Sequence, residues 1–389
     1  MTVAKRMMTL ALENSAKVIT QAKALEAQGK EIIHLETEDP DFDTPRHIVE
    51  AGMQAIKDGF THYSPTEGLP ELREAIARNS HNVRGNETNR DNVVVTPGNK
   101  AMVFYVLLTL AEPGVEIIYP NPGESVYESL IKFSGATPVP LKLLEEKGYH
   151  PDLDALSGLI TDKTRLLILN SPENPCGSAL TEQELTAISN LVMQHPGLYV
   201  LSDETYKDFL YTGEHYSISS IHGMQERTVI VDGFSMNYAM TGWHLGYGIL
   251  PDELVPRVIK LANNHISCTA TFTQMAGIAA LNGPQDAFRA MAAEFSKRRR
   301  LITDGLQAIR GIDCPEPEGG IYVFPNIENT GMSSGEFENR ALNEAGVALL
   351  SGSNFGEFGE GCVRLSYATS QQNINKAIDQ LNRFVQSAT

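Results

Sequence analysis

Between residues 92 and 250 the chain shows short runs rich in β-branched and aliphatic residues: "NVVVT", "VEIIYP", "TPVPLKL", "RLLILN", "LYVLSD", "TVIVDG" and "LGYGIL". Segments with helical periodicity separate them. Uninterrupted apolar runs mark strands buried on both faces, and helices between such strands imply a mostly parallel sheet. The pattern therefore predicts an α/β domain built on seven strands. In open sheets of this kind ligands gather beyond the carboxyl ends of the strands, which is where "TPGNK", "NSPENPCG", "SDETY" and "GFSMN" fall.

Further along, the pattern lengthens. The stretch from about Asp252 to Asn282 reads as one long amphipathic helix, and "GPQDAFRAMAAEFSKRRRLITDGLQAI" as a second. The strand-like "GGIYVFPNI" and "GCVRLSYAT" then bracket a helical "SSGEFENRALNEAG". This predicts a smaller α+β domain that the N-terminal segment can rejoin in space. At 389 residues the chain exceeds the size at which one core stops growing, so two domains are expected. The expected division is 1–45 joining the small domain, 46–284 as the large domain and 285–389 as the small one.

Composition adds exclusions. With 42% hydrophobic and 20% charged residues the chain has globular character. A formal net charge of −17 opposes nucleic acid and anionic membrane, because clustered Lys and Arg supply most affinity for phosphate. The dense basic run Lys297-Arg298-Arg299-Arg300 lies in a helical segment and reads as a solvated face or an ion-pair network rather than a binding patch. Cys176, Cys268, Cys314 and Cys362 lack C-x-x-C spacing, and the histidines lack helical metal-ligand spacing, so no disulfide framework or metal site is expected. No signal peptide or membrane span is read either, and a reducing cytoplasm fits best.

The candidate chemistry lies at the predicted strand ends. "VVVTPGNKAMVFYVLLTLAEPG" places a glycine turn between a strand and an apolar helix, so the backbone at Gly98, Asn99 and Lys100 can cradle a phosphate; a turn with Asn99 as a plain helix cap is the alternative. "LSDETY" sets Asp203 and Tyr206 just beyond a strand, and "NSPENPCG" sets Asn174 at the end of another. An isolated Asp there often caps a turn. An acid, an amide and a phenol beside a phosphate turn can instead hold a phosphorylated heteroaromatic ring.

At this point the chain resembles a family. "DPDFDTPRHI", "THYSPTEGLPELREAIA", "NSPENPCG", "SDETY", "YAMTGWHLGYG" and "GSNFGEFGEGCVRLSYATS" are similar, in order and over nearly the whole length, to blocks of the class I aminotransferases of pyridoxal-phosphate fold type I, the aspartate aminotransferase-like group. The resemblance implies that Asp203 pairs with the pyridinium nitrogen, and that Asn174 and Tyr206 bind the ring's phenolic oxygen. It places Gly98, Asn99, Lys100 and Ser235 around the phosphate. It implies a homodimer, with Tyr63 reaching the phosphate in the neighbouring subunit. Arg364 would grip the α-carboxylate of an amino or 2-oxo acid substrate, a task suited to its planar fork.

Four positions depart from the family pattern. Met236 stands where the family has its Schiff-base lysine, and a thioether can neither form an imine nor shuttle a proton. His244 replaces an arginine that serves the phosphate. Glu124 stands where an aromatic residue stacks on the ring, and Glu38 where a glycine lets the backbone approach the substrate carboxylate. Glu38 would repel that carboxylate or pair with Arg364, and Glu124 would offer an acid or base, unless both point to solvent. Three accounts follow. The pocket holds pyridoxal or pyridoxamine 5′-phosphate, or its amine adduct, non-covalently; the fold persists as a cofactor-free interaction protein; or an ordinary aminotransferase was disabled by a Lys-to-Met substitution at 236. Ordinary transamination is not expected.

Overall fold

The computed structural model describes residues 3–10 and 14–388. Its strands are β1 (Ile33–His34), β2 (Val93–Thr96), β3 (Glu116–Asn121), β4 (Thr137–Lys142), β5 (Thr164–Asn170), β6 (Tyr199–Asp203), β7 (Thr228–Gly233), β8 (Gly246–Ile249), β9 (Tyr322–Val323), β10 (Val347–Ala348), β11 (Leu350–Ser351) and β12 (Val363–Ser366). The helices are α1 (Asn14–Glu26), α2 (Arg46–Lys57), α3 (Pro70–Arg84), α4 (Asn99–Leu110), α5 (Ser125–Ser134), α6 (Leu153–Leu159), α7 (Glu182–Met193), α8 (Val255–Ile266), α9 (Thr271–Asn282), α10 (Asp286–Gln307), α11 (Ser334–Arg340) and α12 (Gln371–Ala388).

The seven apolar runs form one sheet in the order β2-β8-β7-β6-β5-β3-β4. Strand β8 runs antiparallel to both β2 and β7, and the remaining pairings are parallel. Helices cover both faces, so strands such as "VVVT" are buried along their full length. One edge falls to β4, where Pro138 and Pro140 lack the N–H that an interior strand must donate. A second, antiparallel sheet has the order β11-β12-β9, and β1 pairs in parallel with β10, bringing residues 33–34 against 347–348. Around these packs an apolar cluster that includes Phe295, Ile302, Tyr322, Phe337 and Phe384 and reaches Tyr206 and Met236.

Two expectations are corrected here, and for the basic run the ion-pair alternative is selected over a solvated face. The long helix expected over Asp252–Asn282 is two helices, α8 and α9, because Ser267 takes a left-handed φ of 63° and breaks the ladder. Asn174 does not end a strand; β5 stops at Asn170 and Asn174 sits in the loop beyond it. The basic run is split, with Arg298 and Arg299 buried and only its ends exposed. Arg298 pairs with Asp41 at 2.6 Å and Glu294 at 3.1 Å, and Arg299 with Glu316 at 2.6 Å. Among the described residues no helix is long and apolar enough to cross a membrane, and no acid, His and Cys cluster could hold a metal ion.

A polar tie crosses the fold at His150, whose Nδ1 meets Glu184 at 2.8 Å on α7 and whose Nε2 meets Glu318 at 3.2 Å ahead of β9. Hydrogen bonds to these two glutamates raise its pKa from 6.5 to about 10. A histidine whose pKa is raised on folding adds stability that is complete below its unfolded value and lost as pH climbs through its folded one. His150→Gln is therefore expected to lower the denaturation midpoint most at pH 6 and hardly at all by pH 10. A penalty that does not shrink over that range would show that the imidazole is neutral in the fold.

Candidate active site

The carboxyl ends of β5, β6 and β7, the start of α4 and one turn of α1 enclose a cavity of about 690 Å³, within the range of small-molecule sites. It is lined by Glu38, Gly98, Asn99, Lys100, Glu124, Asn174, Asp203, Tyr206, Ser235, Met236 and His244, together with Tyr127 and Thr205. Eleven of the thirteen residues singled out from the sequence thus meet in one place. Arg364 is the twelfth; it lines a smaller adjoining cavity of about 200 Å³ that shares Glu38, Lys100 and Glu124 with the first. Tyr63 is the thirteenth and lies away from both, 87% exposed.

At one end of the cavity α4 begins. Gly98 is its N-cap, with φ 80° and no side-chain cap, so the first N–H groups of the helix keep their donors. The capping alternative for Asn99 does not hold: Asn99 is the first helical residue, and its amide donates to Thr205 Oγ1 at 2.7 Å. Two glycines let this turn approach the sheet. A Cβ on Gly246 would stand 2.4 Å from Asn99 Oδ1 and 2.6 Å from the Gly98 carbonyl carbon, and one on Gly233 would stand 2.2 Å from Asn99 Oδ1. His244 lies alongside in the left-handed region at φ 50°, its Nδ1 3.6 Å from where a Gly98 Cβ would be.

Deeper in, Asp203 ends β6. Its Oδ1 accepts from the Thr205 hydroxyl at 2.6 Å, and its Oδ2 from the Tyr127 hydroxyl at 2.9 Å. Oδ1 also accepts from the Thr205 N–H at 3.2 Å. Burial pushes the carboxyl above the usual range, and these three hydrogen bonds oppose the rise without cancelling it. Oδ2, with one donor, has a further lone pair for a cationic N–H in the cavity. Tyr206 sits 2.6 Å from the hydroxyl of Tyr322. Thr205 and Tyr127 were not singled out from the sequence, although "SDETY" and "NPGESVY" contain them.

The carboxylate-rich side is tied together. Arg364, 1% exposed, donates from Nη1 to Glu38 at 2.7 Å and to Asn174 Oδ1 at 2.9 Å, and from Nη2 to the Glu36 carbonyl at 3.0 Å. Tyr322 and Phe355 cover its guanidinium, with ring centroids 4.4 and 4.8 Å away. The Asn174 amide donates to Glu124 at 2.6 Å and to Glu38 at 3.2 Å. Neither glutamate, then, points only to solvent. Burial pushes the Glu38 carboxyl up, but Arg364 and Lys100 together pull it below the usual value.

A third acid completes this side. Glu173, 3% exposed, accepts at Oε2 from the Cys176 amide at 2.8 Å, while its buried Oε1 has no hydrogen-bond partner. Burial, with Glu124 adding to it, pushes this carboxyl up to about 8. Sequence pattern gave no sign that this glutamate turns inward.

An open α/β sheet whose strand ends carry a phosphate-type helix start, an acid, an amide and a phenol has the architecture of the pyridoxal-phosphate fold type I proteins. The sequence pattern described as aminotransferase class I and II matches residues 30–381, and the chain belongs to that family. It is 39% identical over 360 residues to an aspartate aminotransferase of Pyrococcus abyssi, covering 91% of this chain and 92% of that one. It is 38% identical to an aromatic-amino-acid aminotransferase of Thermococcus litoralis, covering 92% of each. The structure superposes on the aspartate aminotransferase of Rhizobium meliloti with a TM-score of 0.95 at 31% identity, covering 99% of both chains.

Glu173 offers a test of how this site is charged. Between pH 4.5 and about 8 the folded chain holds a proton here that the unfolded chain has released. Stability should fall with rising pH in that window by up to about 1.4 kcal/mol per pH unit, then level off. Glu173→Gln should remove this slope, so its advantage over the parent in urea denaturation grows from pH 5 to 8 and is constant above. Parallel stability curves for the two proteins would mean that Glu173 ionises normally.

Proposed function

We propose that the chain binds pyridoxal or pyridoxamine 5′-phosphate, or its adduct with an amine, without a covalent tether, and that it does not carry out ordinary transamination. The observation that carries this reading is that Met236 lines the same cavity as Asn174, Asp203 and Tyr206 and the uncapped start of α4. The residues present fit the group at both ends. The Gly98 turn and the α4 amides suit a phosphate dianion, with Ser235, Lys100 and His244 at the same end. Asp203, with acceptor capacity left on Oδ2 and a carboxyl that burial pushes above its usual range, suits a pyridinium N–H.

When bound, the ring supplies an electron sink for negative charge on a carbon beside an attached amine nitrogen. Asp203 would keep the ring nitrogen protonated, and the Asn99–Thr205 chain would hold Asp203 in place. Tyr206 would donate to the ring's phenolic oxygen while accepting from Tyr322. Asn174 is less available than the family pattern implies, because both protons of its amide already go to glutamates. The Met236 sulfur has no proton to move, which leaves Glu124, in the same cavity lining, as a candidate acid or base. Without a stacking ring at 124 and an arginine at 244, affinity should be modest.

The remaining parts of the reading follow the family. The chain would act as a cytoplasmic homodimer, in which an outward tyrosine such as Tyr63 can reach a neighbour's phosphate, with residues 46–284 as the cofactor-binding domain. A single inactivating Lys-to-Met change at 236 accounts for less, because Glu38 and Glu124 are joined through Asn174 into one arrangement that such a change does not require.

The purified protein is expected to bind pyridoxal or pyridoxamine phosphate saturably and to release it on gel filtration, with borohydride fixing no cofactor to residue 236. Titrations that show no saturation with either vitamer would falsify this reading. Met236→Lys should acquire borohydride-fixable cofactor and an absorbance that shifts with pH; a revertant that stays colourless with cofactor would show that more than the amine is missing.

A further inference from the structure

The Arg364 guanidinium has five N–H groups. Nη1 spends both of its own on Glu38 and Asn174, and Nη2 spends one on the Glu36 carbonyl. The Nε is buried with no hydrogen-bond partner, and one N–H of Nη2 is unspent. A bidentate grip on an incoming carboxylate needs two parallel N–H bonds on one accessible edge, and at Nη1 the carboxylate is already supplied by Glu38. It also carries the negative charge that a ligand would otherwise bring, balanced by Arg364 and Lys100.

We infer that Glu38 acts as a built-in substitute for a substrate α-carboxylate, so that the site selects primary amines lacking an α-carboxylate and discriminates against α-amino acids. This rests on the proposed cofactor-binding reading and narrows it. An amino acid would have to displace Glu38 from a guanidinium that is 1% exposed, or place a second carboxylate against it, and Glu124 adds a further negative charge on the same side. An amine with no carboxylate meets neither obstacle and leaves the Glu38–Arg364–Asn174 arrangement intact. Glu38 is thus a specificity-determining residue, acting through the occupancy of Arg364.

The test compares two stable ligands that differ by one carboxylate: the reduced conjugates of pyridoxal phosphate with butylamine and with norvaline. Calorimetric titration of the full-length protein should give a Kd at least tenfold lower for the butylamine conjugate. Glu38→Gly, which frees Arg364, should shift the ratio at least tenfold toward norvaline. Glu38→Gln, which keeps the volume and removes the charge, should shift it in the same direction should the glycine variant fold poorly. Equal or tighter binding of the norvaline conjugate by the parent, or an unchanged ratio in the glutamine variant, overturns the inference while leaving the cofactor reading standing. Pyridoxamine phosphate, which carries no carboxylate at all, separates the two: if it fails to bind the parent, the cofactor reading falls and this inference with it.

Discussion

The strand ends that carry the site are held by buried charge. Arg84, at the end of α3, reaches Glu204 and Asp232, each at 2.6 Å, and Lys207 meets Asp232 at 2.9 Å and Asp208 at 2.6 Å. Arg84, Lys207, Glu204 and Asp232 are all buried, and Glu204 takes further hydrogen bonds from Ser202 and Ser217. Burial alone would push both carboxyls up, yet the cations hold Glu204 and Asp232 below the usual range. Removing one partner from such a cluster leaves an uncompensated buried charge, a loss of about 3–5 kcal/mol. Glu204 follows Asp203 in sequence, and Asp232 precedes Gly233 and the turn to Ser235 and Met236. One guanidinium therefore sets the spacing between the acid of the site and the loop that carries the altered position.

Above that foundation one side of the cavity gathers carboxylates. Glu38 and Glu124 both accept from Asn174, and Glu173 is buried close enough to feel Glu124 and Arg364, with Arg364 and Lys100 as cations nearby. Three ionised acids would outnumber two cations, and the chain reduces the mismatch in two ways. Glu38 stays ionised by pairing, and Glu173 stays largely protonated at neutral pH because nothing pairs with its buried oxygen. The same residue type thus takes opposite protonation states on one side of the site. The difference lies in the surroundings, one beside a guanidinium and the other buried with an oxygen that has no hydrogen-bond partner.

The parts of this arrangement visible in the sequence are those with local causes. Continuous apolar runs gave all seven strands of the sheet, because burial on both faces leaves a mark within five or six residues. The cavity lining was legible because its members sit immediately after those runs, where chain direction dictates that they converge. What was not legible depends on partners far along the chain. Glu38 and Arg364 are 326 positions apart; their pairing was one of the alternatives the family pattern offered, and the closed fold selects it over an outward Glu38. The inward course of Glu173 is hidden for the same reason. The break at Ser267 escaped because Ser-Cys-Thr carries no glycine or proline, and a left-handed φ at a serine is a tertiary outcome. The burial of Arg298 and Arg299 likewise needed Asp41, Glu316 and the rings of Phe42 and Tyr211, none of them close in sequence.

The departures from the family pattern form a physically consistent set. An amine at 236 serves a cycle in which a substrate arrives, displaces the tether and leaves, and that cycle needs a vacant clamp for the substrate's carboxylate. On the proposed reading Met236 would remove the tether and Glu38, paired with Arg364, would fill the clamp, so both ends of the cycle would be closed together. Met236 also packs, at 8% exposure, in the same apolar cluster as Tyr206 and Tyr322, and the Tyr322 ring lies against the Arg364 guanidinium. A thioether there needs no desolvation of a charge, whereas a free ammonium among those rings would. On that reading the arrangement would retain the capacity to hold a phosphorylated ring by hydrogen bonds and charge, and would have given up the exchange of one covalent partner for another.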